Sequence, residues 1–171
     1  MASYSLTVDD ALIDAPFGRV AVVVHGRQLA IELLGPAGQL THSPIRLEKQ
    51  STHPLVNLAC QQVMHYLQQP DAHFSLPLAQ QGTPFQQRVW QAIAAIPCGQ
   101  TRTYGQLAHQ LGSGPRAVAN ACGANQLPLL VPCHRVVAQS GIGGFMQGKQ
   151  GGLLIKKWLL RHEGVKGYRG E

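Results

Sequence analysis

Residues 72–83, broken by Pro77 and closed by Gln80, Gln81, Gly82 and Thr83 ahead of Pro84, follow neither the twofold alternation of a strand nor the 3.6-residue period of a helix. Such a segment interrupts regular structure, because proline removes a backbone donor and glycine adds chain entropy. It predicts a connector that splits the chain into an α/β unit over residues 1–82 and a second unit over 83–171, with a short strand expected at 74–76. At 171 residues, the chain can bury a core in one domain or in two small ones that share an interface.

Residues 17–34 alternate apolar and polar types around His25-Gly26, the pattern of a β-hairpin, and a further strand is expected over 40–47. Pro54 opens a run with Val56, Ala59, Val63, Tyr66 and Leu67 at helical spacing, which should stop before Pro70. Beyond the connector, Thr83-Pro84 reads as an N-cap and first helical residue, with Phe85, Val89, Trp90, Ile93 and Ile96 on one face. Two short helices, over 104–111 and 115–124, are joined by Gly112-Ser113-Gly114. That arrangement has helix-turn-helix character and equally suits an ordinary helical hairpin.

Charge separates the two units. Up to Gly82 four basic residues stand against six acidic ones, whereas from Thr83 onward ten basic residues face Glu163 and Glu171, a net charge of −2 followed by +8. A basic half suits a phosphate backbone, an acidic protein partner or simple solubility. The longest apolar stretches, such as residues 20–24, are far below the roughly 20 residues needed to span a bilayer. The acidic N-terminal decapeptide lacks the basic start and apolar run of a signal peptide, so the cytoplasm is the expected compartment. Cys60, Cys98, Cys122 and Cys133 have no Cys-x-x-Cys spacing and read as free thiols. No metal-ligand spacing appears, and neither a metal nor an organic cofactor is expected.

The segment from Leu127 to Val137 sets an apolar run against Cys133-His134-Arg135. A thiol with a pKa near 8.5 needs a base or cation beside it to become a nucleophile at neutral pH, and His134 is the candidate base. Taken alone, the Cys-His pair equally describes a buried structural thiol next to a histidine.

Pro132-Cys-His-Arg-Val136 does not stand alone, however. Ile96-Pro-Cys-Gly99, Tyr104-Gly-Gln-Leu-Ala108, Arg116-Ala-Val118, Asn125, the glycine-rich stretch 141–152 and Trp158-Leu-Leu-Arg-His-Glu163-Gly164 occur with it in fixed order. From Thr83 through Gly164 the chain resembles the O6-alkylguanine-DNA alkyltransferases. The resemblance implies a ribonuclease H-like α/β N-terminal domain and a mainly α C-terminal domain with a winged helix-turn-helix-like unit. It implies that Cys133 irreversibly accepts an alkyl group from O6 of guanine, and from O4 of thymine, in double-stranded DNA. His134 would reach the thiol through a water and be held by Glu163. Tyr104 would donate to guanine N3, and Asn125 would be the hinge between the helix pair and the thiol turn.

The damaged nucleotide must leave the stack to be reached. Arg116 would fill its place, with Ala117, Ala119, Asn120, Gly123 and Arg135 at the DNA. Val136, Gly144, Phe145, Gln150 and Gly151 would frame the base. The resemblance further implies a monomer that is spent after one event. The turn before Arg116 is shorter than the common family version, Gln126 stands where a proline is usual, and the loop 144–152 is longer. Three other classes fit parts of the pattern: a lesion-binding module without transfer, a cysteine hydrolase, and a helix-turn-helix regulator of undamaged DNA.

Overall fold

A computed structural model describes residues 6–35, 44–146 and 151–168. The chain begins with an antiparallel sheet of β1 (Ala11–Ala15), β2 (Gly18–His25), β3 (Gln28–Leu34) and β4 (Arg46–Lys49), in spatial order β3-β2-β1-β4. The β2–β3 hairpin forms as expected, with Gly26 at φ +65 in its two-residue turn. Gly18 has φ +138, and a Cβ there would collide with the Leu34 carbonyl, so the β1–β2 turn needs glycine.

Helix α1 (Pro54–Gln68) covers the sheet and buries Val56, Ala59, Val63 and Tyr66. His53 caps it by accepting from the Leu55 amide. Two sequence expectations change here. The strand expected over 40–47 is observed as β4 from Arg46, and residues 40–43 lie outside the described residues. Residues 74–76 form no strand, because side chains of α1 take their polar groups instead: Gln62 accepts from the Ser75 amide at 2.8 Å and donates to its hydroxyl at 3.0 Å.

After the connector come α2 (Pro84–Ala94), a two-residue strand β5 (Arg102–Thr103), α3 (Tyr104–Leu111) and α4 (Pro115–Gly123). Thr83 with Gln86 and Thr103 with Gln106 form reciprocal capping boxes, which fix where α2 and α3 begin. Gly112 ends α3 in the left-handed conformation, and α3 packs on α4. A 3-10 turn (Cys133–Arg135) leads into β6 (Val136–Val137), which pairs in parallel with β5, and α5 (Gly152–His162) follows. One apolar core runs through both halves, from Ala11 and Phe17 under the sheet to Val136 and Leu159. The fold is mixed α/β, and no helix among the described residues is long and apolar enough to cross a membrane.

Candidate active site

The apolar run before Cys133 is buried at Leu127, Leu129, Leu130 and Val131. It turns sharply because Leu129 takes φ +76, a conformation that L side chains resist and that surrounding packing must hold. The Val131 amide closes the turn on the Leu127 carbonyl at 2.8 Å, and the Cys133 amide bonds to the Val131 carbonyl. Pairing of Val136 and Val137 with Arg102 and Thr103 then sets the start of α3 beside the thiol turn. Tyr104, the first residue of α3, points its hydroxyl to the Gly144 carbonyl at 3.3 Å.

Cys133 is 9% exposed. Burial pushes its thiol pKa upward, while the Asn125 amide and the Lys156 ammonium act against that rise by favouring the thiolate. Asn125 Nδ2 lies 3.4 Å from the sulfur and also donates to the Val131 carbonyl at 2.9 Å. Lys156 is wholly buried and donates to the carbonyls of Val136 at 2.7 Å and Gly144 at 2.9 Å. Its burial lowers its pKa to about 8, so it carries most of its charge at neutral pH.

His134 is fully buried, with Nε2 2.8 Å from Glu163 Oε2. Donation from Nε2–H leaves Nδ1 as the acceptor, and Nδ1 has no hydrogen-bond partner among the described residues. Burial lowers the His134 pKa, only partly offset by Glu163, and so favours the neutral ring that can take a proton. Burial opposes ionisation of Glu163, but the hydrogen bonds and charges of His134 and Arg135 outweigh it, and the carboxyl titrates far below the usual range.

Arg135 corrects an expectation: rather than reaching DNA, its guanidinium closes on Glu163 through Nε at 2.8 Å and Nη2 at 3.0 Å. Its Nη1 bonds the Ile96 carbonyl, and the side chain is 12% exposed. A buried carboxylate demands such a partner, and the fixed fork of the guanidinium supplies it.

Cys133, Tyr104 and Asn125 share the wall of a cavity of about 630 Å³ with Gly144 and Phe145. Helix α4 supplies Ala119, Asn120 and Gly123 to the same wall, whose small side chains leave the mouth open. Arg116 stands exposed in the first turn of α4, and Ala117 is half-buried beside it. Val136 and Gly151 do not line the cavity: Val136 contributes a carbonyl to Lys156, and Gly151 begins α5 with φ +80. Gln150 lies outside the described residues.

Sequence reasoning missed three participants. Cys122, read as a packing thiol, lines the cavity, and its burial together with Cys133 pushes its pKa up to about 12. Lys156 carried a signal in its spacing, since Leu159 and Leu160 fall three and four positions on and share its buried stripe. Tyr66, expected as a core residue, also donates to Glu163, a contact between α1 and the end of α5 that no local pattern announces.

Comparison with known proteins agrees with this geometry. Residues 84–165, which hold the cavity, the thiol turn and Glu163, match the family model for 6-O-methylguanine DNA methyltransferase, DNA binding domain. A methylated-DNA–protein-cysteine methyltransferase of Salmonella typhimurium is 54% identical over 92 residues, which span 53% of this chain and about half (52%) of that relative's length. The likeness to the Mycobacterium bovis methylated-DNA–protein-cysteine methyltransferase extends further, at 36% identity over 88% of this chain and 89% of that protein. Among solved structures, that of Mycobacterium tuberculosis OGT in complex with DNA superposes with a TM-score of 0.69 at 33% identity, covering 91% of this chain and 92% of the other. Matched over most of its length by a relative at 36% identity and by a solved structure at a TM-score of 0.69, the chain belongs to the methylated-DNA–protein-cysteine methyltransferase family.

Proposed function

We propose that this protein repairs alkylated DNA by moving an alkyl group from O6 of guanine to its own Cys133. The observation that carries the reading is the sulfur of Cys133 on the wall of a cavity walled by α4, with an amide donor 3.4 Å away and with His134, next in the chain, buried against Glu163. A cavity of about 630 Å³ suits a single base turned out of a duplex.

In this reading, His134 Nδ1 takes the thiol proton through a water, and Glu163 stabilises the imidazolium that results. The thiolate attacks the alkyl carbon in line. An S–C bond forms as the C–O6 bond breaks, and the electron pair leaves with guanine. The Tyr104 phenol, kept protonated by burial that raises its pKa to about 12, donates a hydrogen bond to N3 that stabilises the charge on the leaving guanine, which then takes its proton from solvent. A thioether has no ready return path, so each molecule acts once, and O4 of thymine would react by the same displacement.

Arg116 fills the vacated space in the stack, while Ala117, Ala119, Asn120 and Gly123 approach the DNA. Asn125 acts as the hinge that opens after alkylation. Gly144 and Phe145 border the base. Arg135 is excluded from the DNA surface by its grip on Glu163. We further read residues 1–82 as a ribonuclease H-like domain and 83–171 as a DNA-binding domain of winged helix-turn-helix type, acting in the cytoplasm as a monomer. The capped α3–α4 pair and the four-stranded sheet under α1 support that division.

The test is the intact mass of the protein after mixing with an equimolar duplex holding one O6-methylguanine. A gain of one methyl, mapped to the Cys133 peptide and ending at one event per molecule, is expected. Tight lesion binding without mass gain would replace this reading with that of a binding module.

A further inference from the structure

The connector has no part in the chemistry above, yet Gln80, within it, is 5% exposed and bonded to both residues that follow α4 and its C-cap. The polarity of these contacts is set by backbone groups. The Gln126 amide donates to Gln80 Oε1 at 2.8 Å, which leaves Gln80 Nε2 to donate to Asn125 Oδ1 at 2.9 Å. The Leu127 amide donates to the same Oδ1 at 3.0 Å, and Nδ2 faces the Val131 carbonyl, which can only accept. Every partner therefore demands one orientation of the Asn125 amide. In that orientation its NH2 points at the Cys133 sulfur, and in the reverse one an oxygen lone pair would meet the thiolate. Gln80 is itself fixed, because Gln87 Nε2 holds its carbonyl at 2.6 Å.

We infer that Gln80 is a positioning residue for the thiol: by holding Oδ1 of Asn125 it keeps the amide NH2 on the Cys133 sulfur and so stabilises the thiolate. The inference rests on the reading of Cys133 as the acceptor. It gives the connector a part in reactivity that neither half of the chain supplies by itself. An amide donor is worth more to a thiolate than to a thiol, so losing it raises the pH at which the sulfur ionises.

Two variants of the full chain separate positioning from packing. Gln80→Met keeps the length and volume without polar atoms. Gln80→Glu still accepts from the Gln126 amide but, ionised, cannot donate to Asn125 Oδ1, and it attracts the NH2 away from the sulfur. The measurements are the pH dependence of Cys133 modification by iodoacetamide, read on the Cys133 peptide, the methyl-transfer rate on the O6-methylguanine duplex, and the thermal midpoint. Gln80→Met is expected to shift the Cys133 profile upward by about one pH unit and slow transfer about tenfold at pH 7. Gln80→Glu is expected to shift it further. An unchanged Cys133 profile in both variants, even with a lowered midpoint, overturns the proposal, as does a Glu variant no more affected than Met. If the profiles shift as stated but the unaltered protein gains no methyl, the positioning role holds and the acceptor reading fails.

Discussion

The phenol of Tyr66, on α1, donates to Oε2 of Glu163 across 2.5 Å, so one carboxylate is shared by the first helix of the chain and the turn that carries Cys133. Tyr66 is 1% exposed, and water cannot replace the bond once it is lost. Tyr66→Phe should therefore lower the unfolding free energy by about 1–3 kcal/mol in urea titrations. A variant as stable as the parent would mean that the bond is energetically idle.

Glu163→Gln removes the charge that answers both His134 and Arg135. Leaving the guanidinium buried without its carboxylate should cost about 3–5 kcal/mol. Alkyl transfer should slow at least 100-fold, measured as the rate of mass gain. The sign of the pH effect follows from the carboxyl being held far below its unfolded pKa, near 4.3. Its contribution is fully present above that unfolded value and is lost as pH falls through the folded one. Between the parent and Glu163→Gln, the gap in unfolding free energy should be constant near neutrality and shrink below about pH 4.

Lys156 gives a slope of the same sign in an alkaline window. Its folded pKa of about 8 lies below the unfolded value near 10.4, so the unfolded chain binds more protons between them. The penalty for burying its charge is complete below pH 8 and relieved as pH rises toward 10. Subtracting the pH–stability curve of Lys156→Met from that of the parent should leave a difference that rises with pH over this window. A flat difference would show that the ammonium is not desolvated.

Arg116 and Arg135 should behave as different kinds of arginine. Arg116 is exposed on α4, so Arg116→Ala should change stability by less than about 0.5 kcal/mol while weakening binding to the lesion duplex about tenfold. Arg135→Ala should destabilise the fold by about 3 kcal/mol. Denaturant melts alongside a fluorescence titration with labelled duplex distinguish the two.

Much of the helical half could be read from punctuation. Thr83-Pro84, Thr103 with Gln106, and Gly112 act locally, through caps that operate before tertiary contacts form. Strand β1 escaped because it lies between β2 and β4, and four of its five residues are buried, which erases the alternation that marks a half-exposed strand. The Cys133-His134 pair was visible as chemistry, and Glu163 became visible through the ordered motifs around it. Arg135 was misplaced because a basic residue in a basic half looks like a phosphate ligand until the buried carboxylate facing it is seen. Tyr66 and Gln80 meet the site from 97 and 45 residues away in sequence, and no periodicity encodes such meetings.

The edge of the N-terminal sheet carries a consequence for handling the protein. Strand β3 is one of its two edges, and its Ile31 amide is taken by the Gln126 carbonyl at 2.9 Å, with Gln28 reaching the Gln126 side chain at 3.1 Å. A bare edge invites another chain to add a strand. Residues 1–82 produced without the rest would present that edge uncovered, so fragments cut at the connector should associate through it, while the intact chain carries its own protection against polymerisation.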